Sequence, residues 1–419
     1  MKNYCFLSII MCLILVLCGC NSTSSKVHIS KEYTYKSAND QALEYQNLAQ
    51  NVFFKTLNEK LYYFNGTTYM CYDPASNTQD SLCRNNQCNH ISLNCPLYTI
   101  SRQTFQIAQD SVYLERLYYD PIDMTTFYRD YISFDVETQE STLLRKNKGQ
   151  PYAITTQLVT DKEIYYYYTE CPENADDTDI QNYDIYLCVQ LPDKTCITLF
   201  KDEDKVYDYI IGFDSNRVYL ADRSNGIYYI DRHISGNVTK QYITASIPVR
   251  DWNPYSCVLK NNNVYFYSYN TQLGKSYIWK VDLDNQSLEH ISEVYGSVNY
   301  SYYTNQYIYF RTNTQQNIGT FDDNGTISEM LIDEYTIYRV GYDGGQPECL
   351  FSEFPKGYET YSLYYGFTVS GRYLYSYYVH WGDLKDVYYP SDNVTSYSLN
   401  SYFRLDVETG EIFFWTPNE

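Results

Sequence analysis

Two apolar patterns run along this chain. The first is a single block: Cys5 to Leu17 is an almost unbroken apolar run behind Lys2, and it gives way to polar, Ser-rich sequence at residues 21–26. A positive start and a short apolar core form the pattern of a secretory signal. About 13 apolar residues are too few to cross a bilayer as a helix, and no later stretch is more apolar. The second pattern is a recurring short aromatic strand. Its copies are Leu61-Tyr62-Tyr63-Phe64, Val112-Tyr113-Leu114, Ile164 to Tyr168, Val218-Tyr219-Leu220, Val264-Tyr265-Phe266-Tyr267, Tyr307-Ile308-Tyr309-Phe310 and Tyr373-Leu374-Tyr375.

Each aromatic strand is followed by a second strand that ends in a polar turn. The clearest turns are Asp135-Val136-Glu137-Thr138-Gln139-Glu140 and Asp406-Val407-Glu408-Thr409-Gly410-Glu411. Looser copies begin at Asp73, Leu191, Asp231, Asp282 and Gly341, so the turns are 40 to 65 residues apart. Each unit divides into four strands, A to D; in the fifth they cover about 257–260, 264–267, 277–281 and 288–291. Repeats of this length with four strands each predict an all-β fold, a β-propeller of seven four-stranded blades over residues 48–416. Two β-sandwiches are the competing arrangement, and seven nearly regular turns argue against them. The strand–Asp turn–strand pattern resembles the TolB-like β-propeller lipoproteins of Gram-positive bacteria. That resemblance implies a toroid with one open face, and for most members no known activity.

The end of the signal carries its own motif. Leu17-Cys18-Gly19-Cys20 resembles the bacterial lipobox, with Cys18 where Ala or Ser is usual. The resemblance implies that residues 1–19 are removed and that Cys20 carries a diacylglyceryl group. Residues 20–47 then form a tether, and the expected location is extracytoplasmic, anchored to the membrane through that lipid alone. Tyr is present 53 times and aromatics make up 18% of the chain, which suits half-buried strands. The formal net charge of −20 argues against nucleic acid or an anionic lipid surface as partner.

The sharpest local chemistry is a C-x4-C-x-H-x4-C spacing made by Cys83, Cys88, His90 and Cys95. Three thiolates and one imidazole complete the closed tetrahedral shell of a structural zinc, with ligand atoms within about 4 Å of one another. Disulfides are the competing chemistry, since export permits them. The metal is favoured because His90 has no part in a disulfide. Of 13 cysteines, three lie in the signal and Cys20 is lipidated, which leaves an odd nine. Cys188 and Cys196 flank the turn at Leu191 and are expected within bridging reach. Cys71, Cys257 and Cys349 lie in strand-like runs and read as small core residues.

Other catalytic patterns are absent: there is no G-x-S-x-G, and Gly274-Lys275-Ser276 lacks the earlier glycine of a phosphate loop. The acidic run Glu173, Asp176, Asp177, Asp179 lacks the spacing of an EF-hand and reads as solvated charge. His380, Trp381 and Asp383 are the weak candidates for ligand contact. Long inserts at 171–183, 312–334 and 380–399 fall between strands B and C, and 318–330 reads as a hairpin of its own. The Cys/His loop falls between blades one and two. In a four-strand blade the B–C and D–A connections share one face, so all of this is expected on one rim. The resulting reading is a binding module for a protein or carbohydrate ligand; the alternative is a carbohydrate-active enzyme with carboxylates near the axis.

Overall fold

The computed structural model describes most of residues 54–415; residues 1–53, 171–183, 318–330, 381–401 and 416–419, with several shorter loop stretches, lie outside the described residues. The signal, Cys20, the tether, Trp381, Asp383, the acidic run and the expected hairpin at 318–330 therefore fall outside them. Among the described residues there are 28 strands and no helix. They pair into seven antiparallel sheets, each of four strands consecutive in sequence. The chain is a seven-bladed β-propeller. Its blades occupy residues 54–81, 105–148, 154–202, 209–242, 258–295, 297–351 and 361–415.

The seven predicted turns are the seven C–D connections, and Asp is the residue that builds the clearest of them. Asp135 Oδ1 accepts the amides of Glu137 and Thr138 at 2.9 and 2.7 Å. Asp406 does the same with Glu408 and Thr409, and Asp282 with Asp284 and Asn285. An Asx turn of this kind offers the chain a local alternative to the ladder, which is why the strand stops there. These amides hold the carboxyl groups of Asp135 and Asp282 below the usual range.

Every B strand carries the same pair of residues. They sit in β2 (Lys60–Phe64), β6 (Ser111–Tyr119), β10 (Ile164–Glu170), β14 (Arg217–Asp222), β18 (Asn263–Asn270), β22 (Tyr307–Asn317) and β26 (Tyr373–His380). The first residue, at positions 61, 112, 164, 218, 264, 308 and 374, is Leu, Ile or Val and packs on the preceding blade. The second is always Tyr, at 62, 113, 165, 219, 265, 309 and 375, and it is buried against the following blade. Successive strand residues point to opposite faces, so this one dipeptide supplies both walls of every wedge. Two of these tyrosines also carry their hydroxyl to a carboxylate of their own blade. Tyr165 donates to Glu163 at 3.2 Å and Tyr219 to Asp214 at 2.9 Å.

Among the described residues the ring closes without strand exchange. All four strands of blade 7 come from the C-terminal end, and β1 (Phe54–Leu57) packs beside β25 (Tyr361–Ser370) through side chains. Thr56 Oγ1 lies 3.0 Å from the Tyr302 hydroxyl and donates to Val369 O at 3.4 Å, while Arg404 donates to the Tyr72 hydroxyl at 3.3 Å. Leu61 and Tyr63 of blade 1 and Tyr375 of blade 7, all at 0% exposure, pack into this seam. In the neighbouring wedge, between blades 6 and 7, Gly366 permits a close approach, since a Cβ there would lie 2.2 Å from the Tyr300 ring.

One expectation about the inserts is corrected. Residues 312–317 and 331–334 are strand: β22 and β23 (Leu331–Gly341) pair continuously from Tyr307↔Gly341 to Asn317↔Leu331. The insert in blade 6 is therefore 318–330, carried on a lengthened B–C hairpin.

Candidate metal centre

Cys83, Cys88, His90 and Cys95 converge. One ligand atom from each lies within 4.8 Å of every other, and Cys95 Sγ is 3.7 Å from His90 Nδ1. The local chain makes this possible through tight turns. Cys88 N donates to Asn85 O and Cys95 N to Ser92 O, both at 2.9 Å, and Ser92 Oγ donates to Asn89 Oδ1. His90 sits at φ 59°, a left-handed conformation that turns the chain between the second and third cysteines.

This donor set fits a divalent metal. A tetrahedron with 2.3 Å metal–sulfur bonds has edges of about 3.8 Å, so the widest pair must close by roughly 1 Å. Cys83 and Cys95 are buried, and Cys88 and His90 half-buried. Burial raises the Cys83 thiol and pushes Cys95 up to about 12. A divalent cation bound to thiolate would reverse that balance and drive the protons off. Four protein ligands leave no open position, which is the pattern of a structural site.

The loop is not confined to the B–C rim, and that expectation is corrected. Gln139, in the C–D turn of blade 2 on the opposite face, accepts the Arg84 amide at 2.7 Å and donates to Leu82 O at 3.3 Å. The far end of the loop meets the other half of the blade: Leu117 N donates to Thr99 Oγ1, and Arg116 donates to Tyr98 O. The segment thus fills the wedge between blades 1 and 2 from one face to the other, with Cys83, Cys95 and Leu97 in one core with Tyr62, Phe105 and Phe134.

The other cysteines fall differently from their sequence reading. Cys188 and Cys196 do not face each other: a bulge after Leu187 pairs Cys188 with Thr198 and leaves Cys196 opposite Gln190. Cys257 is a buried core residue as read, but Cys71 is half-buried and Cys349 exposed. On these strands, side-chain direction follows register, which hydrophobicity alone does not give. His380 ends β26 opposite Tyr361, at the B–C end of blade 7.

No described helix is long and apolar enough to cross a membrane. No family model matches the chain, and no curated protein matches its sequence. Among solved structures it is similar to an oligogalacturonate lyase from Vibrio parahaemolyticus, at 10% identity and TM-score 0.49, over 81% of this chain and 88% of that one. It is also similar to an uncharacterised protein from Listeria monocytogenes, at 10% identity and TM-score 0.46, over 92% and 97%. A prolyl endopeptidase matches at 10% identity and TM-score 0.52, over 91% of this chain and 51% of that protein. At that identity, and over about half of the endopeptidase, the likeness is one of fold alone.

Proposed function

We propose that the protein is a lipid-anchored, extracytoplasmic binding module of the TolB-like propeller type. It is held at the membrane by acylated Cys20 and braced by one structural zinc on Cys83, Cys88, His90 and Cys95. Its B–C rim, with His380, Trp381 and Asp383 on the blade 7 insert, takes a protein or carbohydrate ligand.

The observation that carries this reading is where exposed apolar side chains gather. Tyr119, Ile122, Met124, Tyr242, Leu273 and Tyr295 are exposed, Ile122 at 94%, and all sit at the B–C ends of their blades. Leu143, on an outer strand, is the exception among the described residues. Single exposed apolar side chains are ordinary, but their segregation to one rim is how binding faces are built.

The buried carboxylates speak for binding over catalysis. Glu115 is held by Arg129, Asp130 by Tyr118, and Glu163 by Arg232. Asp208 is held by Tyr228 and Lys240, Asp222 by Asn225 and Tyr242, and Asp406 by Arg372. A general acid or base needs a proton it can exchange with substrate, and these groups are committed to structural partners.

Two measurements test the reading. Cys20→Ser is expected to move the protein from the membrane fraction to the soluble fraction, and mass spectrometry of the wild-type N-terminus to show an acylated Cys20. An unmodified mature N-terminus elsewhere sinks the anchor. Ligand capture on glycan and protein arrays is expected to fall at least tenfold with Ile122→Asp and Leu273→Asp together, at an unchanged melting temperature. Turnover of a bound glycan would instead establish the enzyme.

A further inference from the structure

Blades 2 and 7 carry nearly the same C–D turn, Asp-Val-Glu-Thr-Gln-Glu at 135–140 and Asp-Val-Glu-Thr-Gly-Glu at 406–411. Their hydrogen bonds match: Gln139 N donates to Asp135 O at 3.0 Å and Gly410 N to Asp406 O at 2.8 Å. At the fifth position both chains are left-handed, with φ 73° at Gly410 and φ 64° at Gln139. Glycine adopts that conformation freely and a side chain with a Cβ does not. Blade 2 therefore keeps Gln where its own turn favours Gly.

The side chain shows what is gained. Gln139 Oε1 accepts the Arg84 amide at 2.7 Å, and its Nε2 donates to Leu82 O at 3.3 Å and to Val136 O at 2.7 Å. Leu82 and Arg84 are the two neighbours of Cys83. One carboxamide thus grips the chain on both sides of the first thiol, from a different blade. It uses its acceptor and its donor at once, which a carboxylate of the same shape cannot do.

We infer that Gln139 is a positioning residue of the metal centre: it fixes the backbone around Cys83 so that its sulfur faces Cys88, His90 and Cys95. This rests on the metal reading above. Partners that orient a ligand in this way are worth about 10- to 100-fold in metal affinity.

The test uses the full chain and Gln139→Gly, which relieves the turn and copies blade 7, so loss of fold is not expected. Zinc affinity is measured by competition with a chromogenic chelator, and cobalt(II) substitution reports thiolate ligation through its visible bands. The variant is expected to bind zinc about 10- to 100-fold more weakly, with altered cobalt bands, and to melt no lower than the metal-free wild type. Gln139→Glu, which keeps the acceptor and loses both donated bonds, is expected to fall in the same range. Gln286→Gly in the corresponding turn of blade 5, also left-handed at φ 50°, is expected to leave zinc affinity unchanged. Wild-type affinity and unaltered cobalt bands in Gln139→Gly overturn the inference while leaving the metal reading intact. A wild-type chain that binds neither zinc nor cobalt overturns both.

Discussion

Cys95→Ser is expected to strip the metal from the protein and lower its melting temperature by several degrees. Cys95 is fully buried, shares a core with Leu97 and Phe134, and would supply one of the four ligands of the proposed zinc. A ligand that binds only the folded state stabilises it by about 4 kcal/mol when present at a thousand times its Kd. Losing one of three thiolates should forfeit most of that. The wild type should contain one zinc per chain by elemental analysis and lose stability on treatment with a strong chelator; Cys95→Ser should contain none and ignore the chelator. A disulfide among Cys83, Cys88 and Cys95 would reverse the pattern, with the wild type sensitive to reductant and indifferent to chelator.

Arg232→Met should cost about 3–5 kcal/mol in urea denaturation, the usual result of leaving one half of a buried ion pair alone. Arg232 reaches from blade 4 to Glu163 of blade 3, with Nε at 3.0 Å and Nη2 at 2.9 Å from Oε2, and both side chains are less than a tenth exposed. Its Nη1 also donates to Asp214 O at 2.7 Å. The charge is the larger part of the cost, so Glu163→Gln combined with Arg232→Met should recover about half of it. Equal destabilisation in the single and double variants would mean that packing over Phe213, not charge, is what matters.

What the sequence revealed of this fold tracks what each strand buries. The B strands are walled on both sides, so they read as aromatic runs, and the C–D turns announce themselves through Asp. The outer strands do not. β4 (Thr78–Ser81) and β16 (Gln241–Tyr242) are largely exposed, and nothing in their pattern separates them from loop. The polar end of β22, Thr312 to Asn317, reads as insert for a related reason, because its sequence carries no apolar alternation. The Cys/His set was legible from spacing, but its place in a wedge was not. That place is fixed by Gln139, 44 residues downstream of Cys95, which only alignment of the two clear turns would single out.

Ring closure through side chains alone bears on how the molecule assembles. Each blade is one continuous stretch, so nearly all backbone pairing joins residues close in sequence, and such pairs form fast because little chain entropy is lost. Blades can then fold one after another along the chain, each templating its wedge on the one before. The long-range event is the closing of this seam, where Thr56 meets Tyr302 and Val369 and Tyr72 meets Arg404, across up to 332 residues. Among the described residues no sheet is shared across that seam, so it should be the last part to form and the first to open, and its amides should exchange ahead of every other wedge.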